Sequence, residues 1–319
     1  MHYRRLGRSG LKVSEISLGT WLTFGNHIDE NQAMGLVQAA YEHGVNFFDS
    51  ADINANGKAD EILGKAIAGL PRSELVLSNK VFYPTSSGPN GRGLSRKHII
   101  ESLHSTLRRL KTDYIDLYYC QRYDPDTPMD EVVRTMHALV QQGKILYWGT
   151  SEWEPFQVTQ AYGVATELGL TPPTMEQPQY NMFTRENVEL KLFPLCKEFG
   201  LGLTTWSPLH FGILSGKYND GIQPGSRAAR ADMGWIRDHI TPQRIDRVTQ
   251  LTALATELGM TTAQLAIAWL LRRKEVSSVI TGATRPEQLD ENLVAGELHD
   301  SLQEDTLERI EEILGNIPL

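Results

Sequence analysis

The 319-residue sequence contains little cysteine, with Cys120 and Cys196 as its two thiols. Neither belongs to a Cys-x-x-Cys pair, which argues against the common zinc and dithiol motifs. Both lie in segments with the apolar pattern of a protein core, where we expect buried free thiols. Free thiols are typical of a reducing compartment, so we expect a cytoplasmic protein.

Long hydrophobic segments and an excess of positive charge are also lacking. No apolar run approaches the roughly 20 residues that a transmembrane helix needs. The first five residues lack the apolar core of a signal peptide, so we expect no membrane partner. The 31 basic and 39 acidic residues give a net charge of −8. This balance argues against a nucleic-acid partner, although a local cluster of cations would suffice for an anionic cofactor.

Eight short apolar runs alternate with longer amphipathic segments. Their length and their flanking Gly, Asp and Lys residues are typical of strands. They cover residues 16–19, 45–49, 75–78, 115–119, 145–148, 174–176, 201–206 and 279–280. Helical spacing is clear in residues 99–110 after a candidate N-cap at Ser95, in residues 132–140 before Gly143, after Thr241-Pro242, and in residues 265–271. This alternation predicts an α/β fold, a (β/α)₈ TIM barrel.

An open doubly wound sheet is the competing fold. Its nucleotide fingerprint G-x-G-x-x-G is absent after the first strand, where Gly19-Thr20-Trp21 stands instead. Residues 3–13 are expected to form an N-terminal hairpin that plugs the bottom of the barrel. The irregular stretch 208–240 predicts a long loop at the C-terminal face. No linker or longer repeat interrupts the pattern, so we expect one domain over residues 1–319.

Polar residues at strand ends are the first candidates for function, because a barrel's active site lies at the carboxyl ends of its strands. Asp49 ends the second predicted strand, Lys80 follows the third and Gln121 follows the fourth. Singly, these residues have ordinary structural explanations, such as an N-cap or a surface lysine. As a set they would face one cleft, where an Asp–Lys pair could support proton transfer.

Several separated motifs resemble those of the aldo-keto reductases. They are Gly19-Thr20-Trp21, Phe48-Asp49-Ser50-Ala51, Leu77-Ser78-Asn79-Lys80, Gly149-Thr150-Ser151, Trp206-Ser207-Pro208-Leu209, Ser215-Gly216-Lys217-Tyr218 and Gly282-Ala283-Thr284. Their order and spacing match from about Tyr3 to about Pro318. The segments 92–100 and 176–180 are more similar to one branch, the voltage-gated potassium channel β subunits and their bacterial relatives.

The resemblance implies hydride transfer from a nicotinamide to a carbonyl carbon, with a catalytic Asp, Tyr, Lys and His. In this sequence the Asp and Lys positions are Asp49 and Lys80. The Tyr position is Asn54 and the His position is Gln121. Glutamine can still donate a hydrogen bond, but an Asn amide cannot usefully give up a proton. The family's general acid, worth roughly a hundred- to ten-thousand-fold in rate, is therefore missing.

Three hypotheses follow from this substitution. In the first, a carbonyl reductase has relocated its acid to Lys80 or to His27. In the second, the substrate is an imine that arrives protonated, so that only its positive charge needs dispersal, by Asp49 or by Glu152 if that side chain points inward. In the third, the protein is a NADPH-binding regulatory or sensing subunit with little or no turnover.

The cofactor contacts implied by the resemblance are better preserved than the catalytic set. Ser151 and Gln177 would bind the carboxamide, and Trp206 would stack on the nicotinamide. The further implied contacts are Thr20, Trp21 and Gly282 in the motif loops, Ser207, Leu209 and Lys217 at the pyrophosphate, Arg227, Thr284 and Gln288 at the 2′-phosphate, and Glu291 and Asn292 at the adenine. An arginine with a hydroxyl and an amide suits a phosphate, which favours NADPH over NADH.

A small-molecule pocket is expected beside this cofactor. Its aromatic candidates are Trp21, Phe24, Tyr83, Tyr123, and the loop with His210 and Phe211. They would suit a bulky or planar substrate. The channel-like branch includes tetramers and octamers, so the resemblance also implies a possible homo-oligomer.

Overall fold

The computed structural model describes residues 1–318. An antiparallel hairpin of β1 (Tyr3–Arg5) and β2 (Lys12–Ser14) precedes a closed barrel of eight parallel strands. The barrel strands are β3 (Ile16–Gly19), β4 (Phe47–Asp49), β5 (Val76–Val81), β6 (Ile115–Cys120), β7 (Ile145–Thr150), β8 (Met175–Glu176), β9 (Gly202–Thr205) and β10 (Val276–Thr281). Each strand pairs with the next, and β10 closes the barrel by pairing with both β9 and β3. The predicted TIM barrel is confirmed.

Helices surround the barrel. They are α1 (Glu30–Glu42), α2 (Lys58–Ala66), α3 (Arg96–Leu110), α4 (Met129–Gln141), α5 (Pro155–Glu167), α6 (Phe193–Phe199), α7 (Gly234–Arg237), α8 (Pro242–Glu257), α9 (Thr262–Leu271), α10 (Pro286–Leu298) and α11 (Glu304–Leu314). The two predicted N-caps are confirmed: Ser95 accepts a hydrogen bond from the His98 amide, and Thr241 accepts one from the Arg244 amide. Helix α9 is apolar on all sides because every residue of it is buried.

The hairpin closes the bottom of the barrel, as predicted. Leu6 and Val13 are fully buried and pack against Phe47 and Val76, which begin β4 and β5. Gly7 lies so close to β9 that an added Cβ would stand 2.2 Å from the Gly200 carbonyl oxygen, and its φ is +55°. Only glycine fits this contact. The open end of the barrel is therefore the opposite one, where the strands finish.

The connection after β9 is long, as expected, but it is not wholly irregular. It contains the short helical turns His210–Ser215, Arg227–Ala229 and Ala231–Met233, followed by α7. Cys120 and Cys196 are free and buried, which confirms their expected place in the core. Over residues 1–318, no single helix is both long and apolar enough to cross a membrane, although the bent pair α8 and α9 passes that test by composition.

Candidate active site

A cleft of about 1120 Å³ opens at the carboxyl ends of the barrel strands. It brings together all of the sequence-predicted site residues except Thr20: Trp21, Asp49, Asn54, Lys80, Gln121, Ser151, Gln177, Trp206, Ser207, Leu209, Lys217, Arg227, Gly282, Thr284, Gln288, Glu291 and Asn292. Thr20 is buried directly behind Asn54 and hydrogen-bonds to it.

A buried ion pair forms the floor of the cleft. The Lys80 Nζ atom lies 2.8 Å and 2.7 Å from the two Asp49 carboxylate oxygens, and it also donates to the Ser50 carbonyl at 2.7 Å. Asp49 accepts a further bond from the Ser78 hydroxyl at 2.6 Å. An ammonium has three N–H donors, and all three of Lys80 are engaged. Lys80 cannot reach a substrate atom unless one of these bonds breaks.

Asn54 is held by a chain of hydrogen bonds that runs away from the cleft. Its Nδ2 donates to the Thr20 hydroxyl at 3.0 Å, Thr20 donates to Ser50 at 3.0 Å, and Ser50 donates to the Asp60 carboxylate at 2.6 Å. Asp60 is paired with the Arg109 guanidinium at 2.8 Å, so it acts as the acceptor that sets the direction of the chain. Thr20 can then only accept from Asn54. This fixes the NH₂ group towards Thr20 and leaves the amide oxygen without that duty.

The backbone after Asn54 also restricts its position. Ala55, Asn56 and Gly57 have φ values of 48°, 54° and 87°, three successive residues in the left-handed region. Residues with a Cβ rarely adopt that region. The tight turn places Asn54 over the floor of the cleft and starts α2 directly behind it. Asn54 is 7% exposed, a buried amide that borders the cavity.

Gln121 occupies the position between Lys80 and the mouth of the cleft. Its amide N–H donates to the Val81 carbonyl at 3.0 Å, which ties the end of β6 to the end of β5. Its side-chain Oε1 is buried and has no hydrogen-bond partner among the described residues. A buried amide oxygen without a partner is costly, so this atom is suited to accept a hydrogen bond from a ligand.

His27 borders the cleft at its other end, beside Arg227 and Arg230. The Arg230 guanidinium lies 2.9 Å from His27 Nδ1. Burial, followed by the charges of Arg230 and Arg227, lowers the pKa of His27 below its usual value. The imidazole is therefore neutral at pH 7. This environment argues against His27 as the relocated acid.

Glu152 is neither an inward-facing group of the cleft nor a free surface acid. Its Oε1 accepts a hydrogen bond from the Trp206 indole N–H at 2.8 Å and another from the Gln179 backbone amide. Trp206 lines the cleft and packs edge-on against Trp21, with the ring centroids 5.5 Å apart. Glu152 therefore fixes the plane of the Trp206 ring, and its unusual φ of +58° places the carboxylate behind that ring.

Cations gather at the end of the cleft beneath the loop after β9. Lys217 reaches solvent through the open cleft, yet the surrounding protein, then Arg227 and Arg285, lower the pKa of its amine to about 8. Thr284 donates its hydroxyl to Gln288 Oε1 at 3.0 Å, at the start of α10. The positive end of a helix dipole and neighbouring cations suit phosphate groups. The residues present therefore fit a phosphorylated dinucleotide.

The aromatic wall differs from the predicted one. Trp21, Tyr83 and Phe211 line the cleft, and Trp235 on α7 stacks on Trp21 at a centroid distance of 6.5 Å. Three other predicted wall residues lie in packed surroundings away from it: Phe24 in the core, Tyr123 against Trp153, and His210 against Phe183. An aromatic side chain in a loop can pack inward, and its sequence position alone does not reveal this.

Sequence reasoning also missed two features. Arg122 lines the cleft next to Gln121, and only its place directly after a strand-end residue could have signalled it. The Thr20–Ser50–Asp60 chain behind Asn54 joins residues 10 to 40 positions apart, a spacing that has no local signature.

Comparison with known proteins agrees with this architecture. The family model described as "Aldo/keto reductase family" matches residues 15–315. A protein of Arabidopsis thaliana named "Probable voltage-gated potassium channel subunit beta" is 47% identical over 322 residues, covering 100% of this chain and 98% of the relative. One of Schizosaccharomyces pombe named "Putative voltage-gated potassium channel subunit beta" is 46% identical, covering 99% and 94%. The chain therefore belongs to the aldo-keto reductase family, a family of nicotinamide-dependent oxidoreductases, and is similar to its channel β-subunit branch.

Proposed function

We propose that this protein is a NADPH-dependent oxidoreductase that reduces a C=N substrate arriving as a protonated iminium. The observation that carries the proposal is that no free proton donor stands where the family places its acid. Asn54 is an amide whose NH₂ faces Thr20, and all three N–H donors of Lys80 are engaged. A ketone reduced here would form an alkoxide without a neighbouring acid.

An iminium ion removes that difficulty. It loses its positive charge as hydride arrives, so the transition state needs no proton from the protein. The unpartnered Gln121 Oε1 can accept a hydrogen bond from the iminium N–H. The Asp49 carboxylate, although paired with Lys80, accepts from Ser78 and Gln177 as well and adds negative potential to the floor. These groups orient the substrate and disperse its charge.

The cofactor assignment rests on the cations of the cleft. When bound, NADPH supplies the hydride. Lys217 would neutralise the pyrophosphate, while Arg227, Thr284 and Gln288 would hold the 2′-phosphate. Ser151 and Gln177 would bind the carboxamide. Trp206, fixed by Glu152, would give the nicotinamide a rigid face on which to stack.

A second function is favoured by the names of the relatives. A subunit that binds NADPH and senses its redox state, with little or no turnover, would keep the cofactor residues and tolerate Asn54. On that alternative, assembly with a membrane channel or with copies of this chain becomes part of the function. The two free, buried cysteines support a cytoplasmic location in either case.

Transfer of a label separates the two functions. Each C4 epimer of deuterated NADPH is mixed with purified protein and 1-pyrroline below the imine's pKa, and the amine is analysed by mass spectrometry. We expect one epimer to deliver deuterium to the product carbon. NADPH that binds tightly but delivers no deuterium to any imine or ketone would instead support the sensing subunit.

A further inference from the structure

Arg122 stands at the substrate end of the cleft. Strands β5 and β6 are paired in register at Val81 and Cys120. Two residues beyond that pair, Tyr83 and Arg122 leave the barrel side by side, and both line the cleft with Asn54. The Arg122 guanidinium carbon lies 5.7 Å from the centroid of the Tyr83 ring, which supports it from one side.

Arg122 has no carboxylate within 4.0 Å among the described residues. Its Nη1 donates to the Gln121 carbonyl at 2.6 Å, and its other donors are open to the cleft. Asp124, the nearest acid along the chain, instead accepts from the backbone amides of Leu94 and Asp126 and from the Thr127 hydroxyl. The guanidinium is half-buried and keeps a full positive charge.

The charge of the substrate end follows from these contacts. Lys80 and Asp49 neutralise each other at 2.7 Å, so Arg122 leaves a net charge of about +1 there. A simple iminium cation would meet this charge unfavourably, since Coulomb interactions strengthen in a partly dry cleft. A substrate that carries an anionic group as well would pair with it. The planar fork of an arginine matches the two oxygens of a carboxylate or phosphate.

We propose that Arg122 binds an oxyanion of the substrate, so that the molecule reduced here is a cyclic iminium with a carboxylate or phosphate substituent. The inference rests on the proposed function for the reacting C=N group and adds the second group by which the substrate is recognised. Arg122 acts as a specificity-determining residue: it holds the anion at the mouth of the cleft while Gln121 receives the iminium N–H nearer the floor.

Binding tests the anchor without turnover. Protein saturated with NADP⁺ is titrated calorimetrically with pyrrole-2-carboxylate, its neutral isostere pyrrole-2-carboxamide, and phenyl phosphate. We expect at least one of the two anions to bind about tenfold or more tightly than the carboxamide, and the tighter anion identifies the oxyanion. Arg122→Gln should abolish this preference. Arg92→Gln is the matched control, because Arg92 is an exposed arginine of the same loop region outside the cleft.

Kinetics then separates the anchor from the chemistry. With 1-pyrroline-2-carboxylate, Arg122→Gln should raise KM about tenfold and leave kcat within about threefold, while neutral 1-pyrroline should be unaffected or improved. Unchanged anion binding in Arg122→Gln, or equal binding of carboxamide and both anions to the unaltered protein, would overturn the anchor. Absence of turnover with an intact Arg122-dependent preference would overturn the proposed reaction and leave the anchor standing.

Discussion

Replacing Asn54 by tyrosine should restore the acid that the family places at this position. Most of the surrounding apparatus is already present, because Lys80 is held against Asp49 and borders the same cleft. A phenol there would face the ammonium that assists its ionisation. We expect Asn54→Tyr to accelerate reduction of a ketone by roughly 10²- to 10⁴-fold, or about 3–5 kcal/mol of barrier. Loss of the hydrogen bond to Thr20 should cost about 1 kcal/mol of folding free energy.

The assay is single-turnover oxidation of bound NADPH by an aryl ketone, followed by nicotinamide absorbance. Asn54→Phe is the matched control, since it adds the same ring without the hydroxyl. The ketone rate of Asn54→Tyr should exceed that of Asn54→Phe by the factor given above, and imine reduction should gain far less. Equal ketone rates in the two variants would refute the reasoning that position 54 is where the acid acts.

Four further predictions concern charge and hydrogen bonding. Because the pKa of Lys217 is lowered to about 8, the ammonium that attracts the cofactor is lost above that pH; NADPH affinity measured by fluorescence should be flat below pH 8 and fall up to about tenfold per unit above it, and Lys217→Met should remove the dependence. Burial raises the pKa of Glu176 to about 8, above its unfolded value of about 4.5, so its stabilising contribution is complete below pH 4.5 and is lost towards pH 8; Glu176→Gln should flatten the fall in unfolding free energy by up to about 1.4 kcal/mol per pH unit in urea titrations. Lys80→Met should destabilise the fold by about 3–5 kcal/mol because it leaves Asp49 buried and uncompensated, and Lys80→Met with Asp49→Leu should cost less than the sum of the two single changes. Tyr83→Phe should leave the imine rate within about twofold; a loss of a hundredfold or more would show that the Tyr83 phenol, not the substrate, supplies the proton.

The barrel was predictable because its strands and helices have clear periods and caps. The last strand shows where this fails: residues 279–280 were predicted, whereas β10 begins at Val276. Ser277 and Ser278 interrupt the apolar pattern, but Ser278 is buried and its hydroxyl donates to the Ser14 carbonyl at 2.7 Å. A strand can carry buried hydroxyls when another chain segment satisfies them, and a local pattern cannot show that partner.

The candidate site was predictable to the extent that its residues end strands. Asp49, Lys80 and Gln121 could be assigned to one cleft because parallel strands finish at the same end of a barrel. The engagement of Lys80 by three acceptors, the Thr20 contact of Asn54, and the anchoring of Trp206 by Glu152 required coordinates, because each depends on a rotamer and a distance. The expectation of one domain over residues 1–319 stays a prediction.

The most direct test of the central claim is a single-turnover comparison of 3,4-dihydroisoquinoline with its ketone analogue 1-tetralone, both saturating, as pH is varied. The account predicts faster oxidation of bound NADPH with the imine, at a rate that falls tenfold per pH unit above the imine's own pKa. The ketone should be slower at every pH. A ketone that reacts faster than the imine, or an imine rate that does not follow the protonated fraction of the substrate, would contradict the claim that the substrate brings its own proton.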